Sequence, residues 1–283
     1  MSTKPARSSG TTIANTMCAG IYGGGAIYKG GIMSVGCLKA SGFTEVIVWN
    51  IAVNSDGDLN FNYEFPLVQG GKYVGDATHP DFQSNMAFIK TAPTKVTRLT
   101  FSIGSSNRGV FQNIQQLITE QGTGSTSILY KNFQVLKTYF PDLDGIDFDD
   151  ENCYDTSSMV SFAVMLGQLG FDVSLCPYTN NDFWINVAKQ ANAGRPGTVT
   201  AVHLQCYDGG GINSPCSGWD FGSIPVYPGL AANGSSASDV ETSMSAWAET
   251  CAISGGFIWD YDFFWPNNLD RVQLYASALN EGI

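Results

Sequence analysis

Five carboxylates crowd into residues 143–151, LDGIDFDDE: Asp144, Asp147, Asp149, Asp150 and Glu151. Side chains on a strand alternate between its faces, so Asp147, Asp149 and Glu151 point one way and Asp144 and Asp150 the other. Three like charges along one face repel each other, and a sequence shaped by stability alone avoids that. Crowding of this kind raises carboxyl pKa values and makes the group share protons. A carboxylic acid kept protonated near neutral pH is what donation to a leaving group needs. Two other readings stay open on these residues alone. One is a solvated acidic loop. The other is a calcium site, although the Gly and Glu that an EF-hand loop needs at its sixth and twelfth positions are missing.

The elements that must hold this cluster are legible as alternating patterns. Apolar runs at 46–52 (VIVWNIA), 98–103 (RLTFSI), 145–148, 173–176, 199–206 (VTAVHLQC) and 256–259 have the continuous character of buried parallel strands. Weaker candidates lie at 17–22 and 223–227. Between them, Val110, Phe111, Ile114, Leu117 and Ile118 mark one helix face, and Ile128, Leu129, Phe133, Leu136 and Phe140 another. Further helices are expected near 156–169, 181–193, 239–251 and 268–280. Residues 54–80 and 208–222 are expected to be long loops on the catalytic face. Eight strands with helices between most of them predict an α/β fold, a (β/α)8 TIM barrel in one domain. A doubly wound open sheet is the alternative, but Gly23-Gly24-Gly25 lacks the GxGxxG spacing and its acidic partner. Residues 1–14 are expected to be a flexible N-terminal segment and 15–283 the barrel.

Composition narrows the partners. The chain has 283 residues and a net charge of −11, from 25 acidic and 14 basic side chains. That balance disfavours nucleic acid and anionic membranes, and leaves a neutral ligand such as a sugar open. No apolar run is long enough to span a bilayer, and the first ten residues hold no signal-peptide core, so the chain stays inside the cell or a leader has been removed. Seven cysteines without a CxxC pair argue against zinc, and neither a metal nor a cofactor is expected. Cys206 and Cys216 are close enough in sequence to close a short loop in an oxidising compartment. His203 shares parity with Gln205 and Tyr207 and so lines the barrel, where a lone histidine is more often structural. Trp184, Trp219 and Trp265 are possible sugar platforms, with Trp184 in a helical pattern that suits the core. A monomer is expected.

Residues 144–151, DGIDFDDE, resemble the DGxDxDxE signature of glycoside hydrolase family 18, which contains chitinases and endo-β-N-acetylglucosaminidases on a (β/α)8 barrel. Supporting segments come in the same order. Ser102-Ile103-Gly104-Ser105 resembles the family's SxGG, with Ser105 in place of the last Gly. Gln205-Cys206-Tyr207-Asp208 resembles QxYN or MxYD, Ile21-Tyr22-Gly23 looks like the plant-type IYWG, and Trp259 matches the Trp flooring the sugar site. The resemblance implies substrate-assisted retaining hydrolysis of β-1,4 bonds after N-acetylglucosamine. On that expectation Glu151 is the acid, Asp149 holds the 2-acetamido group and stabilises the oxazolinium, Asp147 shares the proton of Asp149, and Tyr207 donates to the acetamido oxygen. Trp259, Gln205, Asp208 and Tyr22 are the expected substrate-binding residues. The partner is an oligo- or polysaccharide containing N-acetylglucosamine. Only 27 residues separate Tyr227 from Gly255, too few for the α+β insertion of many relatives, so an open groove is expected. The chitobiose core of N-glycans is the alternative substrate, and a non-catalytic lectin on the same fold the alternative function.

Overall fold

The apolar runs become the staves of a closed barrel in the computed structural model, which describes residues 17–105 and 108–283. The expected flexible segment 1–14 lies outside the described residues. The chain runs β1 (Cys18–Gly23), α1 (Gly25–Lys29), α2 (Gly31–Ala40), β2 (Glu45–Val53), β3 (Leu59–Phe61), β4 (Phe65–Gln69), β5 (Lys72–Tyr73), α3 (Phe82–Ile89) and β6 (Arg98–Gly104). It continues through α4 (Val110–Gln121), α5 (Ile128–Tyr139), β7 (Gly145–Asp149), α6 (Thr156–Gln168), β8 (Asp172–Leu175), α7 (Asn181–Gly194), β9 (Val199–Gln205), β10 (Val226–Ala231), α8 (Ala237–Cys251), β11 (Gly255–Trp259) and α9 (Leu269–Glu281). Strands β1, β2, β6, β7, β8, β9, β10 and β11 pair in parallel in that order, and β11 returns to β1. This is the expected single-domain (β/α)8 barrel, with the acidic segment on its fourth strand.

The main core lies between the strands and the helices. Helix α4 buries Val110, Phe111, Ile114 and Leu117, and α5 buries Leu129, Phe133 and Leu136, the faces that the periodicity marks. Both clamp β7. Phe148, on the outward side of that strand, stacks on Phe162 of α6 at 5.3 Å and meets Phe111 edge-on at 5.7 Å. Burial of one such ring contributes about 1.5–3 kcal/mol. Asp155 caps α6 by accepting from Ser158 N at 2.8 Å, which fixes the exit of the chain from the acidic strand.

Three features depart from expectation. Residues 54–80 are not a loop throughout: β3, β4 and β5 form an antiparallel extension from β2, buried through Phe61, Phe65, Leu67 and Val68. The Asn, Asp and Gly that suggest a loop occupy its turns. Strand β10, Val226–Ala231, lies later than the expected 223–227: residues 223–225 precede it, and Pro228-Gly229 continues it rather than turning. Gly229 is there because the ring of Phe257 fills the space a Cβ would take. The expected Cys206–Cys216 pair is not formed. Cys206 packs in the core beside the barrel wall, and Cys216 bonds Cys251 at the end of α8, across 35 residues.

That cross-link ties the 208–222 loop to α8. Closing a loop of this size removes unfolded-chain entropy, so Cys251→Ser is expected to lower unfolding free energy by roughly 2–4 kcal/mol, whereas Cys206→Ser leaves the disulfide intact. Urea titration with and without reductant, and peptide mapping by mass spectrometry, check both; a Cys206–Cys216 peptide would overturn the assignment.

Candidate active site

The barrel's upper interior is built by residues that alternate inward on successive strands. Asp147 of β7 is fully buried there. Its Oδ2 accepts from Tyr22 Oη of β1 and from Ser102 Oγ of β6, each at 3.0 Å. Its Oδ1 accepts from Ser174 Oγ of β8 at 2.6 Å and lies 3.2 Å from His203 Nδ1 of β9. Five strands thus meet on one carboxylate, which suits a buried anion that must be hydrogen-bonded to be tolerated.

Two residues on, Asp149 is buried at the floor of a cleft. Trp49 Nε1 of β2 donates to its Oδ2 at 3.3 Å and Gln205 Nε2 to its Oδ1 at 3.2 Å. Burial first, then the charges of Glu151 and Asp147, push its carboxyl well above the usual aspartate range. Glu151 lies just past the strand end, half-buried in the same cleft, and burial followed by the nearby Asp150 raises its pKa as well. Asp150 faces the other way and accepts from the backbone N–H groups of Asn152, Cys153 and Tyr154 at 2.8–3.1 Å, locking the turn that presents Glu151. Asp144, also of that parity, pairs with Lys90 at 2.7 Å. Strand β6 approaches closely here: a Cβ on Gly104, at φ 97°, would meet Asp149 O at 2.5 Å.

The cleft has a volume of about 480 Å³ and is walled by Trp49, Tyr178, Gln205, Tyr207, Asp208 and Trp259 around Asp149 and Glu151. Tyr207 and Trp259 lie nearly parallel, 16° apart with ring centroids at 6.2 Å, and Trp49 stands perpendicular to Trp259 at 5.3 Å. Flat aromatic faces beside paired carboxyls suit a ligand with alternating apolar and hydroxylated faces. Asp260, next to Trp259, is pushed up to about 7, by burial and by Asp262.

The structure therefore brings six of the eight residues singled out from sequence to the cleft, Asp149, Glu151, Gln205, Tyr207, Asp208 and Trp259, with Asp147 buried beneath it. Tyr22 lies one layer down, under the cleft, with its hydroxyl on Asp147 and its ring 5.7 Å from that of Trp259. Trp49, Ser174 and His203 are partners that sequence reasoning left unassigned. Trp49 falls in an apolar run where it passes for core, Ser174 is visible only once strand register is known, and parity placed His203 in the barrel lining without showing that it meets Asp147. None of the three tryptophans considered as platforms lines this cleft. Trp184 is fully buried, Trp219 is buried against another groove, and Trp265 packs beside Tyr261.

No family model matches the chain, and no curated protein matches it. Solved structures do. The catalytic domain of a family GH18 chitinase from the fern Peteris ryukyuensis aligns with a TM-score of 0.64 at 17% identity, over 94% of this chain and 98% of that one. The GH18 chitinase from the chitin utilization locus of Flavobacterium johnsoniae aligns with 0.62 at 11% identity, over 93% and 94%. A β-mannanase from the blue mussel Mytilus edulis aligns with 0.56 at 16% identity, over 92% of each chain. The chain therefore has the barrel fold of these glycosidases over more than nine-tenths of its length.

Asp149 gives a stability test independent of any reaction. A carboxyl whose pKa is raised on folding contributes most below its unfolded value, about 3.9, and loses that contribution as pH rises toward the folded value. Asp149→Asn removes the titration, so its stability relative to the parent should increase between pH 4 and pH 7. Urea midpoints at the two pH values measure this; a difference that stays constant or shrinks would contradict a raised Asp149.

Proposed function

We propose that the protein is a retaining glycoside hydrolase that cleaves β-1,4 bonds after N-acetylglucosamine in chitin or chitooligosaccharides, with the substrate's own acetamido group as nucleophile. The observation that carries this reading is the juxtaposition of two carboxyls with raised pKa values, Asp149 and Glu151, in one aromatic-walled cleft at the C-terminal end of the barrel. The strand-four motif and the structural neighbours support the same reading.

In the proposed reaction Glu151 protonates the glycosidic oxygen. The acetamido oxygen attacks the anomeric carbon, and the sugar–oxygen bond breaks. Asp149, buried beside Glu151, balances the positive oxazolinium; Trp49 and Gln205 hold its carboxyl in place. Tyr207 donates its hydroxyl to the acetamido oxygen, and burial keeps that phenol protonated far above neutral pH. Trp259 lies under the apolar face of the sugar at the cleaved bond. Glu151, now ionised, takes a proton from the incoming water, which opens the oxazoline with retention. A glutamate as acid in the cleft favours the enzyme over a lectin. Between β10 and β11 there is one helix, α8, and no inserted domain, which fits an open groove and internal cleavage of a polymer.

Glu151→Gln keeps shape but cannot donate, so turnover of chitin oligomers should fall by roughly 10²–10⁴-fold with the fold intact. Retention of more than about half the parent's rate would exclude Glu151 as the acid. A thiazoline mimic of the oxazoline should inhibit, since it resembles the charged intermediate. Proton NMR of fresh product should show the β-anomer first; an initial α-anomer would require an inverting enzyme with a separate protein base. Incubation with a high-mannose glycoprotein, read by mass, tests the N-glycan alternative.

A further inference from the structure

Below Asp147 a polar chain runs through the barrel to its opposite end. His203 is fully buried, with Nδ1 3.2 Å from Asp147 Oδ1 and Nε2 3.4 Å from Glu45 Oε2. Glu45, at the start of β2, is buried too; its Oε1 accepts from Arg98 Nε at 3.0 Å and Thr100 Oγ1 at 2.8 Å. Arg98 Nη1 then reaches Asp172 at 2.7 Å, and Cys18 Sγ donates to Glu45 at 3.4 Å. The sequence of groups is carboxylate, imidazole, carboxylate, guanidinium, carboxylate. A neutral imidazole offers a single N–H, which serves Asp147; Nε2 faces Glu45 at ion-pair distance without a hydrogen bond, so it is the positive charge of imidazolium that serves both carboxylates.

Cys18 of β1 also faces the ring and shares Glu45 Oε2 with it; the remaining neighbours do not compete for the imidazolium proton. Tyr22 of β1 and Tyr227 of β10 lie with ring centroids at 5.9 Å, Phe257 of β11 at 5.5 Å edge-on, and Ser174 of β8 is engaged with Asp147. Burial alone would strip the proton from His203, but Glu45 and Asp147 outweigh it and hold the imidazole well above its ordinary pKa. Burial likewise works against the Glu45 charge, yet His203 and Arg98 bring its pKa down to about 2. Cys18, Glu45 and His203 are close enough to share a metal ion. Arg98 holds the other oxygen of that carboxylate, however, and a positive charge on His203 balances both acids without one.

We propose that His203, kept charged by Glu45, is a positioning residue that pins the negative charge on Asp147 and so leaves the shared proton of the acid cluster to Asp149 and Glu151 on the cleft side. This rests on the catalytic reading of Asp149 and Glu151 given above, and it replaces the sharing of the Asp149 proton by Asp147 that the family resemblance implies. Neither His203 nor Glu45 touches substrate; both act through Asp147.

The chain has two histidines, His79 and His203, so imidazole nitrogen-15 labelling yields two resolvable rings, assigned with a His79→Gln variant. His203 of the full-length protein should show the imidazolium pattern at pH 8. Glu45→Gln, which keeps shape and removes charge, should move the His203 titration down into the working pH range; Asp147→Asn should lower it also. The kcat profile of Glu45→Gln on chitin oligomers should gain an inflection at the pH where NMR shows His203 losing its proton. Above that pH kcat should fall roughly tenfold while KM stays within about twofold. A neutral His203 at pH 8 in the parent overturns the proposal, and this measurement needs no variant to fold. A Glu45→Gln profile that is scaled but unchanged in shape overturns it too. A parent without glycosidase activity, but with His203 charged, would sink the catalytic reading alone and leave the pinned charge standing.

Discussion

The structure depends on how it tolerates like charges on one strand. Asp147, Asp149 and Glu151 enter the barrel mouth from the same side of β7, and each is compensated differently. Asp147, deepest, has three hydroxyl donors and an imidazole. Asp149 has two longer contacts, from an indole and an amide. Among the described residues, nothing hydrogen-bonds the Glu151 side chain. Support therefore fades from the barrel centre toward the cleft. Burial costs an ionised group most where donors are few, which is why Asp149, with buried neighbours and weak contacts, is pushed up so far.

The opposite side of the same strand supplies the rigidity this needs. Phe148 anchors β7 to α4 and α6, Asp150 gathers three backbone N–H groups, and Asp144 is tied to Lys90. One parity carries strained electrostatics, the other carries packing and satisfied hydrogen bonds. Asp150 belongs to both accounts: its turn holds Glu151 in place, and its charge helps raise the pKa of Glu151. Because β7 is hydrogen-bonded to β6 and β8 along its length, displacement of the acids would disturb the register of three strands.

The strands' continuous apolar runs, the helix faces of α4 and α5, and the parity of the acidic strand were all legible in the sequence, because each depends on local periodicity. The N-terminal helices α1, α2 and α3 were not separated from their surroundings. The extension β3–β5 was hidden because its turns carry the polar residues of a loop and its strands are only three, five and two residues long. Gly229 is the sharper case. Pro-Gly signals a turn, and only the neighbouring Phe257 explains why it stays in a strand. Cysteine spacing suggested the nearer partner for Cys216, whereas the fold places Cys251 beside it. In the site, Gln205, Tyr207 and Trp259 could be picked out beside a recognisable motif. Glu45 and Arg98 could not, since a glutamate and an arginine at strand starts are usually solvated surface.

That last pair changes what the barrel interior is for. A barrel of this kind is ordinarily filled by layers of branched apolar side chains. Here, among the described residues, a small apolar group, Tyr22, Ile47, Cys176 and Phe257, sits inside, and below it the axis is crossed by alternating charges from Asp147 to Asp172. Replacing such a chain by hydrocarbon is often neutral or favourable for stability, while removing one member leaves an uncompensated buried charge. Stability alone thus gives little reason for the arrangement. Electrostatic demand from the cleft does give one. An anion at Asp147 raises the proton affinity of Asp149 directly, and a carboxylate stays ionised in a closed barrel only where donors or a cation compensate it; Asp147 has three hydroxyls and an imidazole. The interior cation next to Asp147 is His203, the buried base that needs it is Glu45, and Glu45 in turn needs Arg98 at the open end. The polar axis is a route by which solvent-side charge at one end of the barrel is coupled to a proton held at the other.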